Sequence, residues 1–251
     1  MKLIKLQRAI KPSFLTDEKV QQLTDKFKSD GTSVWHIDEL KEVLLNSSYG
    51  KCAYCECNLT EESKYMEVEH FEDKKNNPDK VILWENLLPS CKRCNGKKST
   101  HDVISEPIIN PYGDIPKEHI KLKNYRFYKI DASIKGENSI EVLDLNNYER
   151  LIFPRFEIGN KLQDTILLAK EKLNNYLDTK SVRNKNKIVG VIEEILKECQ
   201  CNSIYSATTS TILLNDEKFN EIMVKMKEEL IWESDLEELY LKAKELVFVY
   251  N

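Results

Sequence analysis

Four cysteines and the polar stretch between them carry most of the chemistry in this sequence. Residues 51–101 read KCAYCECNLTEESKYMEVEHFEDKKNNPDKVILWENLLPSCKRCNGKKSTH. Two C-x-x-C pairs bracket the stretch, Cys52 with Cys55 and Cys91 with Cys94. Two intervening residues let one tight turn present two thiolates, and two such turns fill the four corners of a tetrahedral, structural zinc site. Buried free thiols and a redox dithiol are the competing explanations. No βαβ pattern surrounds the pairs, which argues against a thioredoxin-like dithiol. Cys57 lies too near Cys55 to replace it and is expected to be a spare thiol. Between the pairs, Glu69 and His70 stand side by side. Imidazole titrates near neutrality and can take a proton from water. Such a base and a hard ion like Mg²⁺ or Mn²⁺, which takes oxygen ligands, would together serve phosphodiester hydrolysis, whereas a lone histidine is more often a core residue.

Such groups need elements to position them. Tyr65–Phe71 (YMEVEHF) alternates apolar and polar residues and is expected to be a strand. Neighbours on a strand point to opposite faces, so Glu69 and His70 reach one site only at a strand end or bulge. Glu72–Lys80 is expected to be a loop, marked by Asn76-Asn77-Pro78. Trp84–Pro89 then leads into a second short strand, with a helix starting near Cys91. Lys92, Arg93, Lys97 and Lys98 cluster on that helix. Arg93, Lys97 and Lys98 are the candidates for gripping a phosphate backbone. A merely solvated helix face would look the same from charge alone.

The order His, Asn, Asn within a ββα unit clamped by two C-x-x-C pairs resembles the HNH endonuclease family. The matching pieces are CAYC, VEH, ENLLPSC and CKRCNGKK. The resemblance implies that His70 is the general base and Glu69 a ligand of the catalytic metal. It implies that Asn86 pins the loop and that Asn95 completes the metal site. Glu69 stands where that family more often carries aspartate. Further pieces narrow the likeness: IKLQR at the start, NPYGDIPKEH, and SIEVLDLNNYERL. Over roughly residues 1–156 they resemble the HNH nucleases of Septu anti-phage systems and relatives encoded with certain retrons. That likeness implies a bacterial defence effector that cuts DNA. It implies a PtuA-like SMC/ABC-type ATPase as partner and, in retron versions, a reverse transcriptase and its RNA/DNA.

At 251 residues the chain is one large domain or two modest ones, ample for a core. Only 7 glycines and 7 prolines argue against an all-β or low-complexity chain. No apolar run of membrane-spanning length and no secretory h-region is present, so no membrane partner is expected. With four of 7 cysteines given to zinc, a reducing cytoplasm fits best. The net charge of −4 argues against tight autonomous DNA binding and for a partner that supplies affinity.

The expected fold class is α+β and mostly helical: a zinc-knuckle ββα-metal unit with flanking N-terminal helices and a C-terminal helical region. Its divisions are 1–50 (helical), 51–105 (ββα-metal unit), 106–150 (connector and β-hairpin) and 151–251 (helical). Leu3-Ile4-Lys5-Leu6 would open the chain as an edge strand or arm. Helices are expected over Thr16–Ser29 and Trp35–Asn46, and strands over Arg126–Ile130 and Ser139–Leu145. Four amphipathic stripes follow, starting at Leu162, Ile188, Phe219 and Leu236, the last opened by a Ser234-x-x-Glu237 capping box. Cys201–Asn215, rich in Ser and Thr, is expected to be a loop. His36, His101, His119 and Cys199-x-Cys201 receive no role. Against the nuclease stands a non-catalytic zinc-knuckle adaptor that binds nucleic acid or protein, and beside it an RNA-directed nuclease of the same fold. The Glu69, His70 and Asn95 set favours the nuclease, because an adaptor has no use for it.

Overall fold

Local signals start and stop the first helices. The Thr16 hydroxyl caps α1 (Asp17–Asp30) by accepting from the Lys19 amide. Gly31 ends it in the left-handed region at φ +72°, where a glycine carries no Cβ penalty. The computed structural model describes residues 5–60 and 66–249. Tyr65, Leu3 and Ile4 therefore lie outside the described residues. Their neighbour Leu6 is in an arm without strand pairing, its amide bonded to the Pro111 carbonyl.

The described residues are mostly helical with two small sheets, and the chain divides into two compact units. The first lies within Met1–Ile120 and Phe127–Leu145, the second within Lys121–Arg126 and Asn146–Asn251. In the first unit, α2 (Asp38–Ser47) follows α1. Then β1 (Met66–His70) pairs antiparallel with β2 (Leu87–Cys91), in register from Met66↔Cys91 to His70↔Leu87. α3 (Lys92–Lys98) follows β2 without a break. The pleat sorts the β1 side chains. Val68 joins a core with Leu40, Leu44, Val81, Trp84 and Leu87 on the side of α1 and α2. Glu67 and Glu69 face α3, where Asn95 and Lys98 meet them.

β3 (Ile120–Lys123) and β4 (Arg126–Lys129) make the second sheet. The strand expected over Ser139–Leu145 is instead largely helix, α4 (Ile134–Val142). Lys135-Gly136-Glu137-Asn138, which lies between the two expected strands, falls in its first turns, capped by the Ser133 hydroxyl on the Gly136 amide. A Cβ on Gly136 would lie 2.2 Å from the His119 carbonyl oxygen, so the helix approaches the chain as only glycine permits.

In the second unit a π-helical turn at Tyr148–Ile152 leads into α5 (Phe153–Thr179), followed by α6 (Val182–Lys197). α7 (Ser206–Leu214), α8 (Glu217–Glu228) and α9 (Ser234–Glu245) complete it. Ile166, Leu173, Ile188, Ile192, Phe219, Ile222 and Leu236 share one core, which matches the four apolar stripes. The Ser/Thr-rich stretch expected as a loop contains a fifth helix, α7, and that helix is buried. Three of its hydroxyls are satisfied internally: Thr209 donates to the Glu198 carbonyl, Ser210 to Cys199 and Thr211 to Ala207, whereas the buried Thr208 hydroxyl has no partner among the described residues. The capping box at Ser234 does not form. Ser234 is already helical and Glu237 turns instead to Trp232 Nε1 and Lys227. Among the described residues no helix is long and apolar enough to cross a membrane.

Candidate metal centre and active site

The first centre is the knuckle. Lys51 bridges to Asn58, and between them Cys52–Cys55 turns back beneath β2, where the Ala53 amide donates to the Pro89 carbonyl. Cys91 ends β2 and caps α3, its sulfur accepting from the Cys94 amide. The sulfurs of Cys52, Cys55, Cys91 and Cys94 all lie within 4.8 Å of one another. Cys55 and Cys91 are 3.8 Å apart. A tetrahedron with ~2.3 Å zinc–sulfur bonds has edges of about 3.8 Å, so the donor set fits zinc in both chemistry and spacing. Hydrogen bonding to Cys52 and Cys55 pushes the thiols of Cys91 and Cys94 up. Amides of Cys91 and Cys94, and the Arg93 guanidinium, point at sulfur and would support a thiolate cluster. Cys57 stays outside the group of four. Cys199 is buried and its thiol is pushed up to about 12 by that burial, as an inert core thiol would be.

The second centre sits at the end of β1. A cavity of about 270 Å³ is lined by Glu69, His70, Asp73, Lys74, Lys75, Asn95, Gly96, Ser99 and Thr100. Three of the sequence-derived site residues thus share one cavity, two from the strand end and one from α3. Alternation along β1 would separate Glu69 and His70, and the end of the strand is what lets both reach it.

His70 is 3 % exposed, packed perpendicular to the Trp35 ring at a centroid distance of 4.8 Å. Its Nε2 lies 2.8 Å from the Val81 carbonyl oxygen. A carbonyl only accepts, so Nε2 carries the proton and Nδ1 the lone pair of the neutral ring. Burial, reinforced by Lys74, lowers the His70 pKa to about 4. The ring is therefore neutral at pH 7.

Glu69 is buried, with Oε1 2.8 Å from Lys98 Nζ and 3.4 Å from the Tyr54 hydroxyl. Burial pushes its carboxyl up to about 7 against the pull of Lys98. Asn95 donates from Nδ2 to Glu67 at 2.7 Å, which leaves its amide oxygen for another partner. Asn86 holds the loop after β1 from within. Its Nδ2 donates to the carbonyls of Glu72 and Lys80, and its Oδ1 accepts from the Glu72 amide. Asp73 shapes the same loop by accepting from the amides of Lys75 and Asn76.

The basic residues expected to face a phosphate are arranged differently. Lys98 is buried; its ammonium donates to the His70 carbonyl and pairs with Glu69, so it braces the strand end from inside. Arg93 donates to the carbonyls of Leu143 and Asp144, and Lys97 pairs with Asp144 at 3.1 Å. Helical periodicity turns these side chains to different sides of a seven-residue helix, and the sequence alone shows only their clustering. His101 and His119 bond to Glu106 and Ser133 and do not line the cavity.

Sequence reasoning missed Trp35, Lys74, Asp73 and Arg8. Arg8 donates to the carbonyls of Trp84, Glu85 and Leu87, fastening the arm to the turn before β2. No motif announces any of them: Trp35, Lys74 and Arg8 act through fold contacts distant in sequence, and Asp73 through a local turn that carries no family signature.

No family model matches the chain. It is 44% identical to the Septu protein PtuB of Bacillus thuringiensis over 252 residues, covering 98% of this chain and 96% of that protein. It is 30% identical to the Septu protein PtuB of Bacillus mycoides (strain KBAB4) over 146 residues, covering 45% of this chain and 48% of that one.

Proposed function

The chain belongs to the Septu PtuB family, and from that premise we propose that it is a metal-dependent HNH endonuclease acting on DNA. Its setting would be a bacterial anti-phage defence complex with a PtuA-type SMC/ABC-like ATPase. The observation that supports this reading above all others is the shared cavity of His70, Glu69 and Asn95, with the loop beneath it pinned by Asn86. A non-catalytic adaptor would need the knuckle but not this constellation.

His70 would act as the general base. Val81 fixes the ring through Nε2, so Nδ1 would take the proton of the attacking water. The depressed pKa keeps that nitrogen free at neutral pH. It also makes the imidazolium costly until negative charge develops on the phosphate beside it. Glu69 and the Asn95 amide oxygen would hold Mg²⁺ or Mn²⁺, which supplies charge stabilisation for the non-bridging and leaving oxygens. Lys98 and Tyr54 hold Glu69 in place through Oε1. The four cysteines would bind Zn²⁺ for folding alone, since a four-thiolate site has no open position.

The acidic balance suits a division of labour in which the ATPase supplies nucleic-acid affinity. The test is to incubate the chain, alone and with its neighbouring ATPase, with plasmid and with tRNA in Mg²⁺ or Mn²⁺. Cutting of plasmid is expected, strongest with the partner. Digestion of tRNA with plasmid spared would replace DNA by RNA as the substrate. No cutting of either in both preparations would promote the adaptor.

A further inference from the structure

Three lysines on the elements around the cavity already have carboxylate partners. Lys98 pairs with Glu69, Lys80 with Glu72 and Lys97 with Asp144. Lys74 and Lys75 line the cavity, and among the described residues neither has a carboxylate within ion-pair distance. Lys75 is exposed, but Lys74 is half-buried and held: its ammonium sits 5.0 Å from the centre of the Trp35 ring. An aromatic face attracts a cation without cancelling its charge, so the positive potential remains directed at whatever enters.

We propose that Lys74 is the phosphate-binding cation of this cavity, contacting the non-bridging oxygens of a nucleic-acid phosphodiester, and that Trp35 is its positioning residue. The proposal rests on the nuclease reading and adds a substrate contact to it. Trp35 is buried in the turn between α1 and α2 and fixed edge-to-face by Phe27, at 5.9 Å and 67°. The same ring stands perpendicular to His70 at 83°. One indole therefore sets both the general base and the cation, and fixes their separation. The backbone of Lys74 is set as well, because Asp73 accepts from the two amides that follow it. The charge of Lys74 reaches both active groups: it disfavours protonated His70 and favours ionised Glu69. Across the cavity a Cβ on Gly96 would meet nothing within 4 Å, so the α3 wall stays open for the phosphate chain.

The experiment uses whichever preparation of the wild type cuts DNA, the chain alone or its complex with the ATPase, and follows kcat and KM across a salt series. Lys74→Gln should lower kcat/KM by about tenfold. It should make the plot of log(kcat/KM) against log[salt] shallower by about 0.9, the signature of one lost phosphate contact. Lys74→Arg should restore both. Trp35→Leu should show the same shallower slope, and adding it to Lys74→Gln should change the slope no further. Trp35→Phe, which keeps a ring over the ammonium, covers the case in which Trp35→Leu does not fold. An active wild type whose Lys74→Gln form keeps its kcat/KM and salt slope would overturn the proposal and leave the nuclease intact. A wild type that cuts in neither preparation would overturn the nuclease reading, and this proposal with it.

Discussion

At the scale of single residues, His70 makes the sharpest commitment. Its pKa is about 4 in the fold against about 6.5 in an unfolded chain. Between those values the unfolded chain binds more protons, so the contribution of His70 to stability rises with pH through that window and is complete above it. The stability difference between wild type and His70→Asn should therefore grow from pH 4 to 6.5 by on the order of 3 kcal/mol and then level off. Urea titrations across that range, without added Mg²⁺ or Mn²⁺, measure it; a flat difference would show that the ring is not buried neutral. The cysteines predict a different failure. Cys91→Ser should lose zinc and melt the knuckle, because ligation supplies folding energy, whereas Cys57→Ser should keep full zinc content. Metal analysis beside circular dichroism separates the two. The knuckle pairs were legible from their spacing, and the resemblance to the HNH family singled out His70, Glu69, Asn86 and Asn95, of which Glu69, His70 and Asn95 line one cavity. Lys74 and Trp35 were not, since nothing in their spacing shows that a ring 39 positions earlier lies under that ammonium.

At the scale of elements, legibility followed periodicity. The four apolar stripes became α5, α6, α8 and α9 because a helix buries one face at a fixed step. The errors share a cause: local polarity or alternation was overruled by tertiary packing. α7 is rich in hydroxyls yet buried, since the side chains of Thr209, Ser210 and Thr211 bond to nearby carbonyls. Ser139–Leu145 alternates like a strand, but Ser133 caps a helix there and the Ser139 hydroxyl accepts from the Ile109 amide. Two glycines test the element packing. Gly136→Ala drives a Cβ against the backbone of His119 and should destabilise the chain by roughly 1–3 kcal/mol. Gly96→Ala meets open space within a helix and should be neutral or stabilising by up to about 1 kcal/mol. Thermal or urea unfolding of both reads the contrast, and equal effects would mean that α4 does not approach His119 so closely.

At the scale of the whole molecule, charge and site point in different directions. The chain is acidic overall, and most lysines around the cavity are spent on internal pairs. On the nuclease reading we propose, such a balance leaves nucleic-acid affinity to be supplied from elsewhere. The family membership fits a component that works in company. The direct test of the central claim is plasmid cleavage by wild type and His70→Ala, side by side and with the ATPase present. Each would be assayed in Mg²⁺, in Mn²⁺ and in a chelator dose that leaves zinc content equal. Metal-dependent cutting by the wild type, abolished in a folded, zinc-replete His70→Ala protein, is the predicted result. Equal cutting by both proteins would contradict His70 as the general base, and an inactive variant that had lost its zinc would place His70 in the structural centre instead.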